Sequence, residues 1–351
     1  MPLGVLQSKS SETTFSPTSI PVTTALDSAL PSFLTSAPAD LARAAALLRE
    51  GECVALPTET VYGLAADALN EKALAQIFTI KGRPLLDPLI VHVLDLAALG
   101  EVAEPDARLA QISHLWPGPL TVVLRRKPCI PDLVTAGKAT VAIRLPAHPL
   151  FREVLRLTGR PLAAPSANPF GYVSPTQASH VRDSLAERCP WIVDGGDCEH
   201  GLESTILDLS TPGRARLLRP GPITIEVLRA LLGDVEVVTR AASHQVAQDA
   251  PGMLERHYSP ATKVVLFAPG TTPEVEEDAA VVFIKRRPTS PLGAEVFNFS
   301  ETGSVAEAAH HLFALLRQLD QRHYATIHVE LAEAAGLGLA YNDRLTRAAA
   351  R

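Results

Sequence analysis

Residues 56–94 read LPTETVYGLAADALNEKALAQIFTIKGRPLLDPLIVHVL. The apolar run that begins at Cys53 stops against Pro57, and Thr58-Glu59-Thr60 is polar turn chemistry. A Tyr62-Gly63 pair follows. Asn70 then stands as an N-cap before a segment with Leu74, Ile77 and Phe78 on one helical face. The helix closes in Lys81-Gly82-Arg83-Pro84, and the chain returns through LIVHVL (89–94), β-branched and apolar apart from His92. Two apolar strands and a helix therefore bring hydroxyls, cations and an imidazole to their ends. Each has an ordinary explanation when taken alone. Cations complement a helix C-terminus, Gly82 is a usual C′ residue, Pro84 is a stop, and a lone histidine suits an apolar core. Lys81 and Arg83 can aim at one anion only if the helix ends between them, which Gly82 permits.

Before this stretch, DLARAAALLREG (40–51) reads as a helix ending at Gly51. Residues 1–37, rich in Ser, Thr and Pro, read as a disordered extension with at most a short ordered piece near its end. After it, a helix over 106–115 stops at Trp116-Pro117-Gly118-Pro119. LTVVLRR (120–126) and TVAIRLP (140–146) are strands without clean alternation, as expected when both faces are covered. Pro149 to Leu157 reads as a helix, and PLAAPSANPFG (161–171) as a short strand running into a polar turn. Ser174-Pro175 reads as an N-cap opening a helix to Arg188. WIVDGG, ESTILDLS and RARLLRPG alternate strand and turn before a helix at 223–232 and a strand at 235–238.

Strands that arrive in pairs without an intervening helix predict a twisted, mixed α/β sheet over residues 38–240. Residues 241–261, ending in PGMLERHYSP, read as a linker. From 262 to 351 the order KVVLF, AVVFIK, a helix from Ser304 to Gln321, ATIHVEL and a last helix near Tyr341 predicts a small Rossmann-like α/β domain.

Composition bounds the function. A net charge of −6 over 351 residues supplies no global basic field for nucleic acid. Between residues 38 and 260, however, 18 arginines stand against 4 lysines, a bias that suits bidentate phosphate or carboxylate contacts and that base composition would also produce. The cysteines (Cys53, Cys129, Cys189, Cys198) have no metal-ligand spacing and fit a reducing cytoplasm. No apolar run reaches the roughly 18 residues of a membrane span, and no charged n-region precedes an apolar h-region.

Familiar phosphate devices are missing. Gly137-Lys138 would need Gly at Asp132 to make a Walker loop, and Gly336-Leu-Gly338 lacks a third glycine and a preceding strand. A nucleotide here must be held by side chains and turns. Ser166-Ala167-Asn168 offers hydroxyl and amide groups after an apolar strand, although these are also plain turn residues. Arg144 interrupts an apolar strand, so it needs a partner: a structural carboxylate or that of a substrate. Glu203-Ser204-Thr205 begins one strand and Arg219-Pro220-Gly221 ends another.

KGR with PLIVHV, VAIRLP, PSAN, ESTI and LRPG occur together, in that order, over residues 38–240. This string resembles the YrdC-type threonylcarbamoyl-AMP synthases, and the PGM…HYSP linker with the domain after it resembles the family's long, two-domain branch. The resemblance implies synthesis of L-threonylcarbamoyladenylate from L-threonine, bicarbonate or CO2, and ATP with Mg²⁺, releasing pyrophosphate. The product would serve N6-threonylcarbamoyladenosine formation at position 37 of ANN-decoding tRNAs, through a tRNA threonylcarbamoyl transferase. It further implies that Thr60, His92, Arg144, Ala164 and Ser204 hold threonine. Lys81, Arg83, Asp87, Thr140, Ser166, Asn168, Ser174, Arg219 and Tyr258 would line the ATP site, with Lys81 and Arg83 as catalytic cations and no metal ligand from the protein. Two positions depart from the family pattern: Asp87 stands where Asn is common, and Ala65 where Gly is usual.

Two other readings compete. An RNA-binding or ribosome-maturation factor would show salt-dependent tRNA binding without ATP turnover, and the acidic balance argues against strong direct tRNA affinity. A carbamoyl-transfer domain of the hydrogenase-maturation type would carry zinc-finger cysteines that this chain lacks. The second domain, without a glycine fingerprint, is expected to act on the site through the linker.

Overall fold

The computed structural model describes residues 31–189, 191–238, 248–252, 257–285 and 294–350. Most of the predicted N-terminal extension, residues 1–30, lies outside them. Eleven strands make the first sheet: β1 (Ser32–Leu34), β2 (Val54–Leu56), β3 (Gly63–Asp67), β4 (Ile90–His92), β5 (Leu120–Arg125), β6 (Thr140–Arg144), β7 (Leu162–Ala163), β8 (Trp191–Val193), β9 (Thr205–Asp208), β10 (Arg216–Arg219) and β11 (Glu236–Val237). Their spatial order is β1-β8-β2-β3-β7-β4-β6-β5-β9-β10-β11. Pairing is mixed: β4 runs parallel to β6, while β5 is antiparallel to β6 and parallel to β9. A second, four-stranded parallel sheet has the order β12-β15-β13-β14, from β12 (Lys263–Phe267), β13 (Ala279–Lys285), β14 (Glu295–Ser300) and β15 (Thr326–Glu330). The chain is thus α/β, with a large mixed sheet and a small parallel one.

The helix Glu71–Lys81 forms as its sequence dictates. The Asn70 side chain accepts from the Lys72 and Ala73 amides, and Gly82 ends it at φ 62°, where a Cβ is disfavoured. Leu74, Ile77 and Phe78 are buried on its inner face. The strand β4 packs Val91 into the same core.

Several elements differ from the expectations. Gly63–Asp67, read only as a Tyr-Gly pair and the residues after it, is an interior strand, β3, between β2 and β7. Its Gly-Leu-Ala-Ala-Asp composition lacks β-branched residues, and full burial on both faces favours small side chains instead. Ser32–Leu34, by contrast, is the short ordered piece allowed near the end of the extension: it forms the edge strand β1 on β8, anchored where the Thr35 amide and hydroxyl donate to Asp40. The helix expected over 106–115 shrinks to Leu109–Ile112 with a 3-10 turn, and a helix at Leu96–Val102, capped by Asp95, precedes it. Ser174 is not an N-cap. The chain stays extended there because Pro175 O accepts the Tyr62 amide, and the helix runs over Ala178–Leu185. In the second sheet β14 is an added edge strand, half-exposed over its first residues.

The two sheets share a core. Val61, Val173 and Leu202 pack in one cluster with Leu312, Phe313 and Leu316 of the helix Val305–Gln321. At Gly201, φ 69°, a Cβ would stand 2.3 Å from His310 O, so the backbones touch directly.

Candidate active site

The C-terminal end of β4, the C-terminal end of β6 and the start of β9 meet around a small cavity of about 50 Å³. His92 and Arg144 come from the parallel pair β4–β6, in register with each other, so both end at the same sheet edge. Arg144 Nη2 stands 2.7 Å from Glu59 Oε1, with both side chains buried, although the contact lacks the direction of a hydrogen bond. Burial works to raise the Glu59 carboxyl, and Arg144 outweighs it, holding the group below the ordinary carboxylate value. Burial pushes His92 down to about 3, with Arg144 adding and Glu59 opposing, so the ring is neutral at neutral pH. Its Nδ1 has no hydrogen-bond partner among the described residues, and Phe151 lies 5.0 Å from the ring.

The hydroxyls stand alongside. Thr60 shares a hydrogen bond with Thr58 at 2.8 Å, and Ser204 one with Thr121 at 2.7 Å. Ala164 lines the wall between them and lies next to Gly63, where a Cβ would approach Ala164 Cβ to 3.2 Å. A cation, a neutral imidazole and two hydroxyls thus line this end of the cavity.

The other end is cationic. Arg83 donates to Asp87 O at 3.1 Å and Pro88 O at 2.7 Å and pairs with the Asp87 carboxylate at 2.9 Å. Arg219 donates from Nε to Ser204 O at 3.1 Å, from Nη1 to Pro251 O at 3.2 Å and from Nη2 to Ser204 Oγ at 3.2 Å. Ser166 lines the same space. His257 and Tyr258, from the end of the linker, fill it from the opposite side, their rings 4.1 Å apart. Tyr258 is held at φ 61°, an unusual backbone for a tyrosine, and its hydroxyl has no partner among the described residues.

Of the residues expected from sequence, Thr60, Arg83, His92, Arg144, Ala164, Ser166, Ser204, Arg219 and Tyr258 line the cavity. Lys81 stands behind the wall, its Nζ donating to the carbonyls of Ser166 and Asn168. Burial holds it well below the ordinary lysine value; Arg83 adds to this and Asp87 opposes it. Asn168 turns its amide to Pro169 O and Tyr172 O, and Ser174 donates to Glu203 at 2.5 Å. Asp87 is committed to Arg83. Thr140 sits at the far end of β6 from Arg144 and does not line the cavity.

Glu203, Thr58, His257, Pro251 and Gly252 line it without a role from sequence. Gly252 carries the one clear signal, since at φ 77° a Cβ would meet the Tyr258 hydroxyl at 2.7 Å and Arg219 Nη1 at 3.1 Å. Among the described residues no group of three or more His, Cys, Asp or Glu side chains could hold a metal ion, and no helix is long and apolar enough to cross a membrane.

A cavity at the edge of a mixed α/β sheet, with Arg144, an imidazole and hydroxyls at one end and Arg83 and Arg219 at the other, is suited to anionic ligands. Comparison with known proteins is specific. Residues 46–221 match the family model described as "Telomere recombination", and residues 223–350 the one described as "Threonylcarbamoyl-AMP synthase, C-terminal domain". The threonylcarbamoyl-AMP synthase of Pyrococcus abyssi is 38% identical, covering 87% of this chain and 92% of that protein. The enzyme of the same name from Bacillus subtilis is 39% identical, over 88% and 92%. A crystal structure of P. abyssi Sua5 complexed with L-threonine superposes with a TM-score of 0.81 at 34% identity, over 90% of this chain and 96% of that one. The chain belongs to the threonylcarbamoyl-AMP synthase family, and it is an enzyme of the two-domain kind.

Proposed function

We propose that this enzyme makes L-threonylcarbamoyladenylate from L-threonine, bicarbonate or CO2, and ATP, releasing pyrophosphate. The observation that carries the reading is one cavity with Arg144, His92, Thr60 and Ser204 at one end and Arg83 and Arg219 at the other. A threonine carboxylate seats on Arg144, which is already oriented by Glu59, and the threonine hydroxyl and amine find His92, Thr60 and Ser204. The amine, neutral and next to a neutral imidazole, takes up CO2 and loses a proton to give a carbamate. A carbamate oxygen then attacks the α-phosphorus, forming the O–P bond as the bond to pyrophosphate breaks. Both reactants are anions, so positioning and charge neutralisation by Arg83 and Arg219, with Lys81 rigidifying the Ser166–Asn168 turn, supply most of the acceleration. No side chain is assigned as a base.

The fit to a metal is limited. The ATP end is lined by Arg83 and Arg219, and the carboxylates near it, Asp87 and Glu203, are paired with Arg83 and Arg344. Mg²⁺ would therefore enter with the ATP phosphates, without a cage of carboxylates among the described residues. His257 and Tyr258 close the ATP end of the cavity from the side of the linker. The adenylate then passes in the cytoplasm to a tRNA threonylcarbamoyl transferase for position 37 of ANN-decoding tRNAs, without strong tRNA binding by this chain.

The test is pyrophosphate release from Mg-ATP with and without L-threonine and bicarbonate, beside Lys81→Ala. Release that needs both co-substrates and is lost in Lys81→Ala is the expected result. Folded protein that releases none, yet binds tRNA with a steep salt dependence, would overturn the reading in favour of an RNA-binding factor.

A further inference from the structure

The helix Leu337–Ala349 belongs to the second domain, yet one of its side chains ends directly behind the cavity wall, against Glu203 and Tyr258 that line it. Arg344 is 0% exposed, which an arginine tolerates only with partners. Its Nε donates to Glu203 Oε2 at 2.7 Å, and its Nη2 donates to Pro220 O at 3.0 Å and Glu203 O at 3.4 Å. Its Nη1 is held by Asp343 at 2.6 Å. The guanidinium carbon also lies 5.4 Å from the centre of the Tyr258 ring.

Two of these partners, Glu203 and Pro220, adjoin groups that the reaction uses. Glu203 precedes Ser204 and accepts Ser174 Oγ on its other oxygen at 2.5 Å. Pro220 follows Arg219, which itself grips Ser204. One fork therefore pins both turns at once. There is also a charge argument. Glu203 is a buried carboxylate in the wall of a cavity that must receive a carboxylate and phosphates. Left unpaired it would repel them, and Arg344 offsets it from behind. Arg317 offers a contrast. It crosses the same interface, but its bonds go to the Val173, Ser174 and His180 carbonyls and the Ser184 hydroxyl, and none goes to a carboxylate of the cavity.

We propose that Arg344 is a positioning residue of the synthase site, supplied by the second domain, which fixes Ser204 and Arg219 and neutralises Glu203. The proposal rests on the synthase reading above. It is tested in the full chain by steady-state pyrophosphate release and thermal melting of wild type, Arg344→Met, Arg344→Lys, Arg344→Met with Glu203→Gln, and Arg317→Met. Arg344→Met should raise KM for both L-threonine and ATP about ten-fold or more, with a smaller change in kcat. Adding Glu203→Gln should recover most of that rise, because the stranded carboxylate is gone. Arg344→Lys restores charge without the fork and should fall between. Arg317→Met should lower Tm without this KM pattern.

Folded Arg344→Met with unchanged KM, or no recovery in the double variant, would overturn the proposal and leave Arg344 a docking contact. If Arg344→Met does not fold, Arg344→Lys decides, and wild-type KM in it overturns the proposal. Wild-type protein that releases no pyrophosphate overturns the synthase reading instead, and this proposal falls with it.

Discussion

Lys81 shows how a buried charge can cost stability and still be kept. Lys81 is 2% exposed and, among the described residues, its Nζ hydrogen-bonds only to carbonyls, so no carboxylate repays its desolvation directly. Lys81→Met should therefore leave Tm within about 4 °C of wild type, or raise it, while cutting pyrophosphate release about a hundred-fold or more. Equal loss of both would mark Lys81 as structural. Asp87 is a milder case. Its carboxylate neutralises Arg83, but the guanidinium is also fixed by the carbonyls of Asp87 and Pro88, which survive in Asp87→Asn. That variant should change kcat/KM for ATP by less than about ten-fold, and a larger change would mean the carboxylate takes part directly. Most of these residues were legible as types in sequence because Arg144 and His92 interrupt apolar strands, where polar groups need a reason. Their partners were not legible. Glu59 and Glu203 sit in polar turns where a carboxylate is unremarkable, and only folding brings them against Arg144 and Arg344.

At the level of elements, what could be read was what local chemistry decides. Asn70 and Gly82 bound the helix Glu71–Lys81 because a side-chain cap and a left-handed residue act within one turn. The strand β3 was missed because its propensity is poor and its conformation is imposed by β2 and β7 on either side. Ser174-Pro175 failed as a helix start for the same reason: a backbone bond from Tyr62 holds the segment extended, and the hydroxyl goes to Glu203. The turn after β10 shows the constraint most sharply. A Cβ on Gly221 would stand 2.4 Å from the Thr205 amide nitrogen and 2.7 Å from Ser204 C, so the end of β10 and the start of β9 approach as closely as backbone allows. Gly221→Ala should destabilise by about 1–3 kcal/mol and weaken threonine binding, since the strain lands on Ser204. Calorimetric titration with L-threonine that shows wild-type affinity would sever that link between turn and site.

Across the whole molecule, function depends on burying ionisable groups at the junction of two sheets, and that leaves a signature in stability. Burial is the leading cause that lowers His92 to about 3 and His180 to about 4, and it also lowers His148, His200 and His257 below the ordinary value. In the unfolded chain each returns to about 6.5. Between roughly pH 6.5 and 4 the unfolded state therefore binds protons that the folded state refuses, and stability must fall as pH falls through that window. Glu59, held below its ordinary value, acts in the same direction at still lower pH, because protonation removes its attraction to Arg144. Melting curves should thus show Tm lower at pH 5 than at pH 7 by about 4 °C or more. His180 lies in the segment gripped by Arg317, and its Nδ1 accepts the Thr176 amide at 3.2 Å. His180→Asn, which keeps an acceptor there and removes the titration, should flatten part of that slope. A Tm that is level or rising from pH 7 to pH 5 would mean that the histidines gain partners on protonation, and the buried, neutral character argued for His92 would fall with it.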